Sequence, residues 1–298
     1  MHIGMRSFIL PFVCLMVILF TAGCGLSQPP APQPTSTARP TGQLRSAFFG
    51  LDNQIPPIRP LLCPDSANQD GMPVVLSHPA DPDTLDAADF RVTAADGTLA
   101  TPVCAILFPA IDAGENRTVL LIGEFGTAEV NEPVRVEVVD EVLSMPDFGT
   151  THNFSGTSIT VIPLAAGPTL IDAEILPQSY WILDRAGRQS QGSGCPSQGT
   201  RQVVRVKWTG GITRPGGDEI DATEWQQYTV TIVAEDGTTQ EIRPFALGNL
   251  NDGDNNHDLC LDTDQPVRGV SFPAGLVTDP NEDLNPATSI LLVDDIEQ

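Results

Sequence analysis

Apolar and polar residues alternate through much of this chain, and that two-residue period limits the fold more than any other feature. Val203-Val204-Arg205-Val206-Lys207-Trp208 and Tyr228-Thr229-Val230-Thr231-Ile232-Val233 carry it most clearly. Successive side chains of a strand point to opposite faces, so the pattern predicts a sheet with one buried face and one wet face. Similar β-rich runs predict strands at 73–77, 90–93, 103–108, 118–122, 134–139, 158–162, 241–247 and 267–272. Asp96-Gly97 and Asp236-Gly237 lie between such runs, where a glycine that tolerates positive φ suits a tight hairpin. No stretch holds a 3.6-residue stripe of helical length, and 85–90 is long enough for a single helical turn. Short strands between frequent turns predict an all-β chain of β-sandwich architecture.

The N-terminus reads differently. Met1 to Arg6 carries one formal cation, and Ser7 to Phe20 is apolar. At about 14 residues this run falls short of the roughly 18 or more expected of a spanning helix and matches a signal-peptide core. Thr21-Ala22-Gly23-Cys24 follows and resembles the lipobox of bacterial lipoproteins, with Thr21 departing from the usual aliphatic residue. The resemblance implies cleavage before Cys24, acylation of its thiol and new amine (palmitate among the acyl chains), and attachment outside the cytoplasm. It also implies outer-membrane sorting, given Gly25, where the cell has an outer membrane. Gly25 to Gln43 is rich in Pro, Thr and Ser with one charge, a composition that cannot bury enough surface to fold and suits an extended tether.

The organisation expected is therefore a signal at 1–23, a lipidated Cys24 with a linker to 43, one sandwich at 44–150 and a second at 151–298. Of six cysteines, Cys14 leaves with the signal and Cys24 carries lipid. Cys63, Cys104, Cys195 and Cys260 remain, an even set that in an oxidising compartment reads as two disulfides. Spacing does not choose among the three pairings. Cys63–Cys104 and Cys195–Cys260 is favoured because each bond then staples one module.

Val74-Val75-Leu76-Ser77-His78-Pro79-Ala80-Asp81-Pro82-Asp83-Thr84-Leu85, followed by Asp89-Phe90-Arg91-Val92-Thr93 and Asp96-Gly97, resembles the opening of S-layer-type bacterial Ig-like domains. The likeness covers residues 72–140. It implies an Ig-like β-sandwich, so that two Ig-like β-sandwich modules are expected after the tether, and no chemistry, since that fold hosts many unrelated functions.

With 38 acidic against 15 basic residues, the chain has a formal charge of −23, which argues against nucleic acid as a partner because phosphates are repelled. The expected partners are a membrane, through the lipid, and an envelope protein or glycan. Asp252, Asp254, Asn256 and Asp258 recur at every second position, with Asp262 beyond, and a coiled loop could converge them on calcium. The competing reading is that Asn, Asp and Gly build turns here by capping their own backbone. Asp279 to Pro286 offers the same two readings. No His-Glu-x-x-His motif or Gly-x-Ser-x-Gly elbow occurs, so a non-catalytic module is expected, with no cofactor unless calcium binds. A calcium-dependent ligand binder or a hydrolase using 249–262 is the alternative. Trp208 is expected in the core, while Tyr180-Trp181 is left open between core and a carbohydrate-stacking surface.

Overall fold

The computed structural model describes residues 39–57, 62–146, 149–184, 194–248 and 253–292. The expectations for the signal, for Cys24 and for Asp252 lie outside the described residues. Residues 39–298 form one compact unit. In chain order its first half contributes β1 (Leu44–Ala47), β2 (Asp70–Leu76), β3 (Phe90–Ala94), β4 (Leu99–Ala100), β5 (Cys104–Ile106), β6 (Thr118–Gly123), β7 (Pro133–Val138) and β8 (Ser158–Thr160). The second half contributes β9 (Leu170–Ile175), β10 (Gln202–Trp208), β11 (Thr229–Val233), β12 (Thr239–Ile242), β13 (Ala246–Gly248), β14 (Asn256–Leu261), β15 (Val267–Phe272) and β16 (Thr288–Leu291).

These strands make four antiparallel sheets of four strands each. The first sheet, ordered β1-β2-β6-β5, faces the second, ordered β4-β3-β7-β8, across one core. The third, β13-β14-β10-β9, faces the fourth, β12-β11-β15-β16, across another. Alternation decides which residues enter each core: Met72, Val74 and Leu76 from β2 meet Phe90, Val92, Val136 and Val138 from the facing sheet. In the second module Val204, Val206 and Trp208 of β10 meet Tyr228, Val230, Val270 and Phe272. Both expected hairpins form. Gly97 (φ 87°) and Gly237 (φ 82°) turn the chain where a side chain would be strained, and Asp96 and Asp236 accept from the backbone of Thr98 and Thr238. The helical turn expected within 85–90 is a 3-10 turn, Ala87–Asp89, closed by a capping box between Asp86 and Asp89.

Three sequence expectations change. The expected boundary at 146–155 is not one: residues 149–155 lead back into the first module. Phe154 fills the first core, β8 pairs with β7, and Ile162 N–H donates to Ala47 O. The first module therefore runs to Leu164 and the second begins at Leu170, in place of the division at 150. The run 241–247 is two strands in opposite sheets, β12 and β13. The end of the expected tether is also tied down: Gly42 N–H donates to Asn153 O, and a Cβ on Gly42 would run into the Phe154 ring.

Cys63–Cys104 and Cys195–Cys260 are disulfide-bonded. The first ties the loop after β1 to β5. The second ties the segment after β9 to β14.

Candidate functional site at the junction of the two modules

The outer face of an antiparallel sheet is ordinarily wet. In the third sheet it is not. Arg205 and Lys207 occupy outward positions of β10, yet both are 0 % exposed because the first module covers them. Register places each between acceptors on the neighbouring strands. Arg205 lies between Glu174 on β9 and Asp258 on β14, and Lys207 lies between Asp172 and Asn256.

The pairing is dense. Arg205 Nε donates to Asp258 Oδ1 at 2.7 Å and Nη2 to Oδ2 at 3.0 Å. Lys207 Nζ reaches both Asp172 and Glu174. The first module supplies the rest, from the segment leading into β6. Arg117 Nη2 donates to Glu174 Oε2 at 2.7 Å, Glu115 Oε1 lies 3.4 Å from Arg205 Nη2, and Ala113 O accepts from Arg205 Nη1 at 2.8 Å. Thr118 Oγ1 donates to Asn255 Oδ1, and Asn255 Nδ2 donates to Trp208 O, so a short polar chain also runs from one module into the other.

Buried ions need such company, because each loses its hydration on leaving water. Burial alone would lower the Arg205 pKa, but Asp258 outweighs it and holds the guanidinium firmly charged. Burial alone would raise Glu174, and Lys207 with Arg117 brings it below the usual carboxylate range. Glu115 goes the other way. Burial, reinforced by the charge of Asp254, pushes its pKa up to about 9 against the pull of Arg205. Glu115 is thus disposed to hold its proton beside Arg205, while Arg117, Arg205 and Lys207 face Asp172, Glu174 and Asp258.

The Asp/Asn-rich stretch now has a different reading. Residues 256–261 are a central strand, so the alternation of Asn256 and Asp258 is the two-residue period of a sheet rather than the coil of a cation loop. Asp258 is bidentate to Arg205. Asp254 caps the strand entry by accepting from Asn256 N–H and Nδ2, and Asp262 is exposed past the strand end. Among the described residues no group of three or more His, Cys, Asp or Glu side chains is gathered for a metal ion. The second cluster builds a turn. Asn285 bonds the backbone of Leu276, Val277, Pro273 and Pro286. Asp279 Oδ1 accepts from Asn281 and Asp283 N–H, and its burial raises its pKa to about 6. Asn281 Nδ2 donates to Gly50 O at 2.7 Å, a further tie between modules.

The histidines are also placed. His257 is buried with Nδ1 2.8 Å from the Tyr228 hydroxyl, which accepts from Trp208 Nε1, and burial lowers its pKa to about 4. His78 stacks on His152 with ring centroids 3.7 Å apart. Trp208 lies in the second core as expected. Trp181 packs beside the Cys195–Cys260 bond and donates to Leu176 O, while Tyr180 is 42 % exposed.

Where the outer faces of the first and third sheets part, they leave a cavity of about 160 Å³. Phe48, Leu51, Pro73 and Leu120 of the first module line one side, with Gly210, Asp254 and Asn255 opposite. Sequence reasoning did not anticipate this junction. Its one trace is that the chain's single lysine, Lys207, and Arg205 sit on the same face of one strand in a chain otherwise short of cations.

No protein-family model and no curated protein matches this chain. Among solved structures it is similar to the N-terminal part of the bacterial S-layer protein SbsC, at 10 % identity and a TM-score of 0.27, over 85 % of this chain and 44 % of that one. The chain thus spans less than half the length of that structure, and a likeness of this degree carries no argument about function. Among the described residues no helix is long and apolar enough to cross a membrane.

Proposed function

We propose that this protein is a lipid-anchored, non-catalytic module of the extracytoplasmic cell envelope, acting through contacts with envelope protein or glycan. The observation that carries the reading is the buried ionic contact between the two sandwiches. Here Arg117, Glu115 and Thr118 of one module are built into the charged face of the other, a tie that suits holding a surface at a set place. Two disulfides suit an oxidising compartment, where small β modules keep their shape without chaperoned repair. The lipobox-like Cys24 and the Pro-rich segment after it supply the attachment. His257, the histidine of the Asp/Asn-rich stretch, is buried with its Nδ1 against the Tyr228 hydroxyl.

The test is expression of the full chain and of Cys24→Ser in a bacterial host fed labelled palmitate. The wild type is expected to take up label and partition into detergent, and the variant to lose both. A wild-type chain that stays unlabelled and aqueous overturns the anchor.

A further inference from the structure

We infer that the cavity between the two modules is a binding site for a small neutral molecule built on one aromatic ring. Size sets the ring. An apolar protein cavity of roughly 150 Å³ stays dry and accepts benzene, and this one measures about 160 Å³. Its apolar wall is formed by Phe48, Leu51, Ile55, Pro73, Leu107 and Leu120. The floor residues Phe48, Ile55 and Gly210 are buried, whereas Phe108, Gly253 and Pro280 at the rim are exposed, so the cavity opens on one side and gives a ligand a way in.

Chemistry sets the class. The polar side chains of the opposite wall already have partners. Thr118 donates to Asn255, Asn255 donates to the carbonyl of Trp208, and Asp254 accepts from the backbone and side-chain amides of Asn256. A ligand therefore gains by burying apolar surface. A charged or hydrogen-bonding group carried onto the floor would give up its water with no protein partner in return. Phe48 favours an aromatic guest over an aliphatic one, because ring edges and faces attract beyond what buried area alone gives. Glycine keeps that ring in the wall. A Cβ on Gly50 of the first module would lie 3.3 Å from Phe48 Cδ1, and a Cβ on Gly210 of the second would lie 3.1 Å from the same atom. Side chains at these positions would crowd the ring, whereas glycine at both leaves it as a lining surface. The inference rests on the junction of the two modules and not on the lipid anchor or the envelope role, so either can fail alone.

NMR titration of the full chain, labelled at leucine and isoleucine methyls, with toluene, phenol and N-acetylphenylalaninamide tests it. Toluene is expected to bind saturably at about millimolar concentration or below, shifting the methyls of Leu51, Ile55, Leu107 and Leu120. Phenol, of similar size but with a hydroxyl to strip of water, is expected to bind about tenfold or more weakly. N-acetylphenylalaninamide presents the same ring as a partner protein would. It is expected not to bind, because its amides would have to follow the ring inward. Leu120→Phe, which fills the cavity, is expected to abolish toluene binding. If that variant unfolds, the methyl shifts of the wild type locate the site without substitution. No saturable binding of toluene, shifts confined to methyls away from the cavity, or phenol or the peptide amide binding as tightly as toluene would overturn the assignment.

Discussion

Arg205 and Asp258 face each other across β10 and β14 as a bidentate pair, 2.7 and 3.0 Å apart, on the side of the sheet away from its own core. The Arg205 side chain is 1 % exposed. A charge so placed gains nothing from water, and its stability depends on keeping its partners.

Removing one member of the pair leaves the other buried and uncompensated. Asp258→Asn or Arg205→Met is expected to lower unfolding free energy by about 3–5 kcal/mol. Urea denaturation measures it. The reverse design, Arg205→Met with Asp258→Leu and Glu115→Gln together, is expected to recover most of that loss, since apolar replacement of a whole buried ionic group is often neutral or better. A triple variant as unstable as the singles would show that the charges themselves matter.

The protein is expected to lose stability as pH rises from the ordinary glutamate value near 4.5 toward about 9, because folded Glu115 holds a proton that the unfolded chain releases. Asp279, raised to about 6, adds to the early part of the same slope. His257 acts in the opposite sense. Its pKa falls from 6.5 to about 4 on folding, so its contribution is lost as pH drops through that range. Thermal melts across pH should show the alkaline decline in the wild type and a flatter one in Glu115→Gln. An unchanged slope in that variant would remove Glu115 as its cause.

Reduction should destabilise both modules. The bonds close segments separated by 41 and 65 residues, each worth about 4 kcal/mol in the chain-entropy description. Replacing Cys195 and Cys260 by alanine is expected to lower the melting temperature of the whole body in a single transition, because the junction couples the halves. Two separated transitions would mean that the modules unfold independently.

Millimolar calcium is expected to leave the melting temperature unchanged. Asp258 is occupied by Arg205, Asp254 accepts from Asn256, and Asp262 lies past the end of the strand, so among the described residues these side chains are not gathered on one point. A rise of several degrees would restore the cation reading.

Trp208→Phe tests the second core. It deletes a buried indole whose Nε1 donates to Tyr228 at 2.8 Å and leaves that hydroxyl and His257 to rearrange. The expected loss is about 1–3 kcal/mol, the range for a buried hydrogen-bonding group left without its partner. It should be readable from denaturant midpoints.

Strands with clean alternation, such as β10 and β11, were legible because their apolar positions face a core. Hairpins were legible because Asp-Gly has a specific backbone use. β14 was not, since its outward residues Asn256 and Asp258 answer to Arg205 and Lys207 on β10, and such tertiary pairing leaves no local periodic signal. The same cause hid the junction. Glu115 and Arg117 look like ordinary loop charges until the second module is laid against them. The boundary near 150 was misjudged because a turn rich in Pro, Gly and Thr reads alike whether it ends a module or, as here, brings Phe154 back into one.

The covered face of the third sheet has a consequence for heredity. A gene fragment encoding either sandwich alone would deliver a partner-less charged surface, and recombination with a foreign neighbour would have to match Glu115, Arg117 and Thr118 at one stroke. Arg205, Lys207 and their acceptors therefore tie the exchange of one half to the exchange of the other, even though each half has a sandwich core of its own.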